Sequence, residues 1–259
     1  MHLDFPSVID RQIQGVISKK LSERYSNKRV RVTGAGRTDQ GVHAHGQAIH
    51  FDVPTSISDV AHFEHSFNRM LPGDVRIFNL TAAPPGNKVQ QLAGEPFHAI
   101  KSAVGKLYVY RFTTNAFVDP ILRNYCTHVY LPVNLALFRE CLSIFQGTHD
   151  FRAFGNRVEQ SEKDFEDKLY VDYNTVRTIN AVHFVDEGRG YYRIEFDIQS
   201  AIYKMIRNIV GTCLHVAAGN MPLHALQALL LTSPPRNENI AMPAPPQGLT
   251  LEHVYYDHF

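Results

Sequence analysis

One run of fourteen residues holds the side chains and the spacing that could do chemistry. It follows a short basic stretch at 28–33 and leads into an alternating stretch at 48–53, so it is predicted to be a loop that joins two strands. Its glycines allow a tight backbone path that holds Asp39 at a fixed point with Arg37 beside it. A carboxylate presented in this way suits a catalytic aspartate better than a phosphate cradle. The run reads Gly34-Ala35-Gly36-Arg37-Thr38-Asp39-Gln40-Gly41-Val42-His43-Ala44-His45-Gly46-Gln47.

Other interpretations of this run are weaker. A dinucleotide fingerprint, or another nucleoside- or phosphate-binding loop, needs a third glycine where Asp39 stands and a helix where a strand is predicted. An ordinary hairpin with a charged tip is the common meaning of an isolated Gly-Asp-Gly turn, but not of fourteen residues in this order. His43 and His45 could share a strand face, but no third ligand of suitable spacing accompanies them, so no metal is predicted.

Composition bounds the class of protein. The chain has 259 residues, 44% of them hydrophobic and 20% charged, which is typical of a soluble globular protein with a sizeable core. No apolar run reaches the roughly 20 residues that a membrane helix needs, and no secretory signal is visible at the start. The three cysteines form no Cys-x-x-Cys pair, which favours buried thiols in a reducing compartment. We therefore expect an intracellular protein without a membrane segment, its compartment left open between cytoplasm, nucleus and organelle.

Charge is distributed unevenly, although the net charge is only +1. Segment 18–31 holds six basic residues and one acid, and segment 97–118 holds three basic residues and no acid, interleaved with aromatic side chains. Segment 159–172 is strongly acidic. A single charge run usually marks a solvated face. Basic residues mixed with aromatic ones on two sides of a candidate site favour RNA as the partner.

Hydrophobic periodicity in the first part of the chain predicts two helices. Ser7 is the expected N-cap of the first, whose apolar face includes Ile13, Ile17 and Leu21. Phe63 and Phe67 belong to the second, which a strand near 75–80 should follow. A loop at 82–95, rich in proline and glycine, marks a lobe boundary. The predicted domains are therefore 1–95, which carries the aspartate loop, and 96–259.

The second part of the chain mixes strands and helices again. Strands are predicted around 108–112, at 192–198 and at 249–255, and helices at 135–145, at 202–217 and at 223–231. The second of these helices places Lys204 and Arg207 near its start. Without a regular strand-helix-strand repeat, this order indicates an α+β fold with a largely antiparallel sheet.

The run around Asp39 resembles the active-site motif of the TruA-type tRNA pseudouridine synthases. The resemblance continues in family order at four further places. These are Asn68-Arg69-Met70-Leu71-Pro72-Gly73-Asp74-Val75, then Phe97-His98-Ala99 with Lys106-Leu107-Tyr108-Val109-Tyr110, then Lys204-Met205-Ile206-Arg207-Asn208-Ile209-Val210-Gly211, and finally Pro245-Pro246-Gln247-Gly248-Leu249-Thr250-Leu251.

The resemblance implies an activity and a role for each site residue. The expected reaction converts uridine to pseudouridine in the anticodon stem-loop of tRNA, at tRNA positions 38 to 40. Asp39 would be the nucleophile, and Tyr108 would stack on the flipped-out uracil. Arg207 would pair with Asp39. Arg37 would fill the space that the flipped base leaves or hold a phosphate; a structural salt bridge is the alternative for Arg37.

The same resemblance implies how the protein assembles. Two related lobes would share one sheet flanked by helices, with the active-site cleft between them, and two subunits would form a homodimer around tRNA. The reaction involves no redox change and no net hydrolysis, so neither a cofactor nor a metal is expected. Further contacts with RNA are predicted for Lys101, Lys106, Arg111 and Lys204.

Three departures from the family pattern stand out. The family's first strand has no counterpart ahead of the first helix, Ile100 stands where the family has an arginine, and the acidic segment 159–172 resembles an insertion. A rival function follows, namely a catalytically impaired tRNA-binding module. The presence of Asp39, Arg37, Tyr108 and Arg207 argues against it, because a protein that only binds has no use for a nucleophile.

Overall fold

The computed structural model describes residues 8–26, 28–83, 97–156, 158 and 174–257. The chain divides into two compact units, the first comprising Met1–Val104 with Val254–Phe259 and the second comprising Gly105–His253. The domain boundary predicted at 95/96 lies outside the described residues, as do most of the loop predicted at 82–95 and all of the acidic segment 159–172. No helix in the described part of the chain is both long enough and apolar enough to cross a membrane.

Two helices and a short strand pair form the framework of the first unit as far as the structure describes it. Its helices are α1 (Val8–Arg24) and α2 (Val60–Asn68), and its strands are β1 (Val32–Gly34), β2 (His43–Ala44) and β3 (Ile49–Phe51). Both predicted helices are therefore confirmed. The predicted N-cap Ser7 lies outside the described residues. Side chains of both helices and of β1 form one apolar core, which contains Ile17, Leu21, Val30, Val32, Phe63, Phe67, Leu71 and Val75.

The predicted face of α1 holds only in part. Ile17 and Leu21 are buried in the core as expected, whereas Ile13 is exposed. The prediction of a strand near 75–80 is wrong, because these residues pair with no strand in the part of the chain that the structure describes. Their backbone groups instead bond to side chains of α2. The amide nitrogen of Ile77 donates to Asn68 Oδ1 at 2.8 Å, and Asn68 Nδ2 donates to the carbonyl oxygen of Ile77 at 2.7 Å.

The part of the second unit that the structure describes contains the larger sheet and three α-helices that lie wholly within the described residues. Its strands run in the order β9-β4-β8-β7-β6, and β5 pairs with β4 in parallel. The β4–β8, β6–β7 and β7–β8 pairs are antiparallel, so the α+β class with a mostly antiparallel sheet is confirmed. The elements are β4 (Gly105–Thr113), β5 (Thr127–His128), α3 (Leu135–Ser143), β6 (Gly147–Asp150), β7 (Val176–Gly188), β8 (Tyr191–Ile198), α4 (Met205–Ala217), α5 (Leu223–Thr232) and β9 (Leu249–Tyr255).

The pleat gives the sheet one apolar face and one charged face. On β8, Tyr192, Ile194, Phe196 and Ile198 are buried and alternate with less buried residues, as the sequence predicts. The buried face continues on β4, and the ring of Phe112 meets that of Phe138 from α3 with centroids 5.3 Å apart. The other face carries Arg193, which forms ion pairs with Glu187 and Glu195.

Strand β7 has no counterpart among the sequence predictions. It is the longest strand in the described chain, but its register with β8 shifts between Ile179 and Ala181 and again between Asp186 and Gly188. Each irregularity moves the side chains that follow to the other face of the sheet. The alternating pattern that would have identified the strand is therefore interrupted twice.

Candidate active site

The loop between β1 and β3 carries Arg37 and Asp39. The two strands are antiparallel, with Gly34 opposite Ile49, and the amide of Ala35 donates to the carbonyl oxygen of Ala48 at 2.8 Å. Inside the loop, Gln47 Nε2 donates to the carbonyl oxygen of Gly36 at 2.7 Å. The predicted strand–loop–strand arrangement is thus confirmed, although both strands are shorter than predicted. A closed ladder and one side-chain bond hold the base of the loop.

Asp39 itself begins a tight turn. The amide of Val42 donates to the carbonyl oxygen of Asp39 at 3.0 Å, and Gly41 has a φ of 83°. Gln40 is not among the residues with positive φ, so this is the type II arrangement, which favours glycine at its third position. Asp39 is half-buried, while Arg37 is exposed. The turn fixes the backbone of the aspartate and leaves part of its side chain accessible.

The segment that begins with Phe97 is tied to the strand that follows this loop. The amide of Ala99 donates to His50 Nδ1 at 3.1 Å, and the Tyr256 hydroxyl donates to the carbonyl oxygen of Ala99 at 2.7 Å. Burial lowers the pKa of His50, and the nearby His98 lowers it further. The imidazole therefore stays neutral near pH 7 and keeps Nδ1 available as an acceptor. Lys101 follows this anchored segment and is exposed.

In the second unit, β4 carries three of the predicted residues. Tyr108 and Lys106 are two apart and lie on one face of the strand, and Tyr108 stands opposite Phe196 on β8. Tyr108 retains 8% of its accessible surface. Burial lowers the pKa of Lys106, and a partly dehydrated ammonium interacts more strongly with a phosphate than a hydrated one does.

The neighbouring tyrosine on the same face has a structural role. The hydroxyl of Tyr110 shares a hydrogen bond of 2.7 Å with Thr127 Oγ1 and donates to the carbonyl oxygen of Pro245 at 2.9 Å. Burial raises the pKa of Tyr110 well above its usual value. This tyrosine is fully buried, so its polar end holds together parts of the second unit itself.

Arg111 lies on the opposite face of β4 from Tyr108. Its guanidinium contacts Glu252 at 3.2 Å, and it stands directly across from Arg193 on β8. Two like charges at this position are unfavourable unless neighbouring carboxylates compensate them. The predicted RNA contact of Arg111 remains a prediction, and it would use the face of the sheet that Tyr108 does not use.

Helix α4 begins abruptly, two residues before Arg207. Lys204 has a left-handed backbone conformation, with φ 63°, and its Nζ lies 5.3 Å from the centre of the Tyr203 ring. The helix starts at Met205 rather than at the predicted Ile202, because the left-handed conformation of Lys204 interrupts the helical path. Arg207 therefore lies in the first turn. Its Nε donates to the carbonyl oxygen of Ala244 at 2.7 Å.

The predicted residues thus fall into two sets. Arg37, Asp39 and Lys101 belong to the first unit, and the second unit holds Lys106, Tyr108, Arg111, Lys204 and Arg207. A surface pocket of about 510 Å³ in the second unit is lined by residues 114–116 and 128–133. No predicted site residue lines it. Among the described residues no group of three or more His, Cys, Asp and Glu side chains could hold a metal ion.

Asn208 and Arg236 were missed by the sequence analysis. Asn208 is fully buried on α4 beside Arg207, and Arg236 Nη2 donates to its Oδ1 at 3.1 Å. A signal was present, since Asn208 and Thr212 are polar residues one turn apart on an otherwise apolar helix face. Nothing in the sequence pointed to Arg236, which lies in a segment rich in proline.

Comparison with known proteins identifies the family. Residues 142–257 match the family model described as tRNA pseudouridine synthase. The chain is 34% identical over 255 residues to tRNA pseudouridine synthase A of Geobacillus, covering 96% of this chain and 90% of that protein. It is 34% identical to tRNA pseudouridine synthase A of Streptococcus thermophilus, covering 95% and 90% of the two chains. It is 32% identical to tRNA pseudouridine synthase A 1 of Protochlamydia amoebophila, covering 95% and 88%. With this similarity over nearly its whole length, the chain belongs to the TruA-type tRNA pseudouridine synthase family.

Proposed function

We propose that this protein isomerises uridine to pseudouridine in tRNA and that its target uridines lie in the anticodon stem-loop, at tRNA positions 38 to 40. The observation that carries the proposal is the turn at Asp39, a half-buried carboxylate held by a type II turn within the loop that matches the family's active-site motif. Family membership supplies the reaction class, and the turn supplies a fixed nucleophile.

The reaction breaks the glycosidic bond between C1′ of the ribose and N1 of uracil and forms a bond from C1′ to C5. The C5 proton is lost and N1 gains a proton, so the product is an isomer of the substrate. In the proposed mechanism Asp39 is the ionised nucleophile that forms the covalent intermediate. Neither a cofactor nor a metal is needed, because the reaction is redox-neutral and its only reacting groups are the carboxylate and the uridine itself.

The other residues bind and orient the substrate in this proposal. A uridine in a stem has to leave its stack to react, which costs a few kcal/mol. Tyr108 provides a ring for the extruded uracil, and the exposed Arg37 fills the vacated space or holds a phosphate. Arg207 pairs with Asp39 and favours its charged form. Further contacts with the RNA backbone come from Lys101, Lys106, Arg111 and Lys204. The partial dehydration of Lys106 supports this role, because it strengthens the interaction of the ammonium group with a phosphate.

The test is tritium release from a tRNA whose uridines carry tritium at C5. Formation of the bond to C5 displaces that hydrogen, so each turnover releases one label into water. We expect release from a tRNA with uridine at positions 38 to 40 and none from a transcript with cytidine there. Binding of both transcripts without release from either would identify the protein as the catalytically impaired binding module instead.

We also propose that the protein acts as a homodimer whose subunits bind tRNA together. The net charge of +1 offers little electrostatic opposition to self-association. Light scattering at concentrations well above those of the assay should give twice the mass of 29.4 kDa. A mass of one chain under those conditions would contradict the dimer and leave the isomerase proposal intact.

A further inference from the structure

A network of polar side chains surrounds the start of α4, with the half-buried Arg236 at its centre. The guanidinium of Arg236 donates to three acceptors: the carbonyl oxygen of Asn239, the carbonyl oxygen of Ala241 at 2.6 Å, and Asn208 Oδ1 at 3.1 Å. Asn208 Nδ2 in turn donates to the carbonyl oxygen of Phe154 at 2.6 Å. One side chain therefore connects the segment 239–241 to the helix residue that follows Arg207.

A second set of contacts strengthens the same connection. Asn239 Nδ2 donates to Thr212 Oγ1 at 3.0 Å, and Thr212 Oγ1 also lies 2.7 Å from the carbonyl oxygen of Asn208. The amide of Ala241 donates to Asn239 Oδ1 at 3.1 Å. Asn208, Thr212 and Asn239 are all buried. Because polar groups without partners are costly in such surroundings, the arrangement tolerates few alternatives.

The surroundings of the Arg236 side chain are unusual for an arginine. Among the described residues its guanidinium has no carboxylate partner, and its Nε is buried without a hydrogen bond. Burial lowers the pKa of Arg236, which shows that placing a charge here carries a cost. A planar guanidinium reaches three acceptors in fixed directions, which a lysine ammonium on a flexible stem does not reproduce. The contacts indicate that geometry, rather than charge pairing, is what this residue provides.

The network reaches Arg207 through Ala244. The amide of Ala244 donates to the carbonyl oxygen of Arg207 at 2.9 Å, and Arg207 Nε donates back to the carbonyl oxygen of Ala244 at 2.7 Å. Only two residues, Met242 and Pro243, separate Ala241, which Arg236 contacts, from Ala244. The segment also touches α4 closely at Gly211, where an added Cβ would lie 2.0 Å from the carbonyl oxygen of Met242. Arg236 and the close contact at Gly211 thus both hold the segment that carries Ala244, and Ala244 contacts the Arg207 side chain.

We propose that Arg236 is a positioning residue for the isomerisation: it fixes segment 239–244 against α4 and thereby orients the Arg207 guanidinium toward the reacting centre. This inference rests on the proposed function, in which Arg207 pairs with the nucleophile. Arg236 itself does not touch the substrate. Its removal should lower the rate of the chemical step and leave tRNA affinity, which depends on distributed phosphate contacts, almost unchanged.

The test is a double-mutant cycle read by single-turnover tritium release at saturating enzyme. Arg236→Met should slow the step about 10- to 100-fold, which is the usual cost of a misplaced catalytic group. In an Arg207→Met background the same change should cost less than about twofold, because there is no longer an arginine to orient. Arg193→Met, which removes an arginine from the charged face of the sheet, is the matched control. An equal loss from Arg236→Met in both backgrounds would overturn the proposal, as would an unchanged rate in Arg207→Met alone.

A second measurement does not depend on catalysis. In protein with ¹⁵N-labelled arginine, the Nε–H signal of Arg207, assigned with an Arg207→Lys variant, should be protected from solvent exchange by Ala244. Arg236→Lys should abolish that protection while retaining a charge, and it substitutes for Arg236→Met if the latter does not fold. Retained protection in a folded variant would overturn the positioning role. A wild-type protein that releases no tritium would refute the proposed function, and the exchange measurement would still decide what Arg236 does.

Discussion

Asp39 and Arg207 are held in place by different means. In the Asp39 loop, backbone hydrogen bonds close a turn from Asp39 to Val42 and the base of the loop from Ala35 to Ala48. Arg207 depends on a segment that follows it by more than thirty residues in the chain, through its reciprocal bonds with Ala244. Hydrogen bonds between residues close in the chain therefore shape the backbone at Asp39, whereas the hydrogen bonds between Arg207 and Ala244 come from the packing of α4 against a separate segment.

This difference explains why the backbone conformation at Asp39 can be predicted from the sequence, whereas the contacts of Arg207 cannot. A type II turn favours glycine at its third position, so Gly41 indicates the backbone conformation of the residues around it. The contacts of Arg207 involve the backbone oxygen of an alanine, and any residue but proline could supply both of the backbone groups that Ala244 provides. The following predictions test whether the two sites fail in the different ways that this contrast requires.

Replacing the nucleophile should have the largest effect. Asp39→Asn keeps the shape of the turn but removes the charge, so the single-turnover rate should fall by a factor on the order of 10⁴ or more. The affinity for tRNA should change little, because it comes from distributed contacts with phosphates. Tritium release and filter binding measure the two quantities. Measurable turnover in the purified variant would assign the nucleophile to another residue.

Crowding the contact between α4 and the segment that holds Arg207 should have the second largest effect on the rate. Gly211→Ala places a Cβ 2.0 Å from the carbonyl oxygen of Met242, so α4 and the segment must separate. We expect a loss of about 1–3 kcal/mol in the free energy of unfolding from overpacking and a slower chemical step. Chemical denaturation and tritium release measure these effects.

Gly15→Ala is the matched control for Gly211→Ala. Gly15 is also a helical glycine, but nothing lies within 4 Å of the Cβ that alanine would add. This substitution should stabilise the protein by roughly 0.5–1 kcal/mol, because alanine is the better helix former. Equal effects of the two substitutions would mean that helix propensity, rather than the contact with Met242, determines the response at Gly211.

Breaking the turn at Asp39 should give a smaller and more local effect. Gly41→Ala forces an alanine into a conformation with φ near 83°, at a cost of about 1–2 kcal/mol. The rate of isomerisation should fall about tenfold while the helices of the second unit unfold as before. Gln40→Ala, at the adjacent position with negative φ, is the control. A loss of stability throughout the chain would contradict a locally determined loop.

The smallest expected effect is a pH dependence at His50. Its pKa is depressed in the folded protein, so the unfolded chain binds a proton more readily. The bond from Ala99 to Nδ1 is therefore fully present above the unfolded value of about 6.5 and is lost as the pH falls through the folded value. Hydrogen exchange at the Ala99 amide, corrected for its intrinsic pH dependence, should accelerate roughly severalfold between pH 7.5 and pH 5. His50→Gln keeps an acceptor without a titration, and its exchange should show no such acceleration.

Sequence reasoning succeeded where one local pattern determines the structure. The alternation on β8 and the spacing of Phe63 and Phe67 on α2 each define a face, and both faces are buried as predicted. The prediction failed at 75–80. The pattern assigned this segment to a strand, but the side chain of Asn68 forms hydrogen bonds with the backbone N–H and carbonyl groups of Ile77. Strand β7 was not predicted either, because its register shifts interrupt the alternation of buried and exposed side chains. In both cases the deciding contact comes from another element.

The sequence by itself determined the family, because its motifs resemble those of the TruA-type synthases in residue type and order. It also determined the fold class and the loop that carries Asp39, because glycine conformations and apolar periodicity are local properties of the chain. Only the tertiary structure decided how Arg207 is held, because Ala244, Arg236 and Asn208 become neighbours through packing and no spacing in the chain records their contacts. The half-buried guanidinium of Arg236 among neutral acceptors has no sequence signature, since its partners are mostly backbone oxygens that every residue possesses.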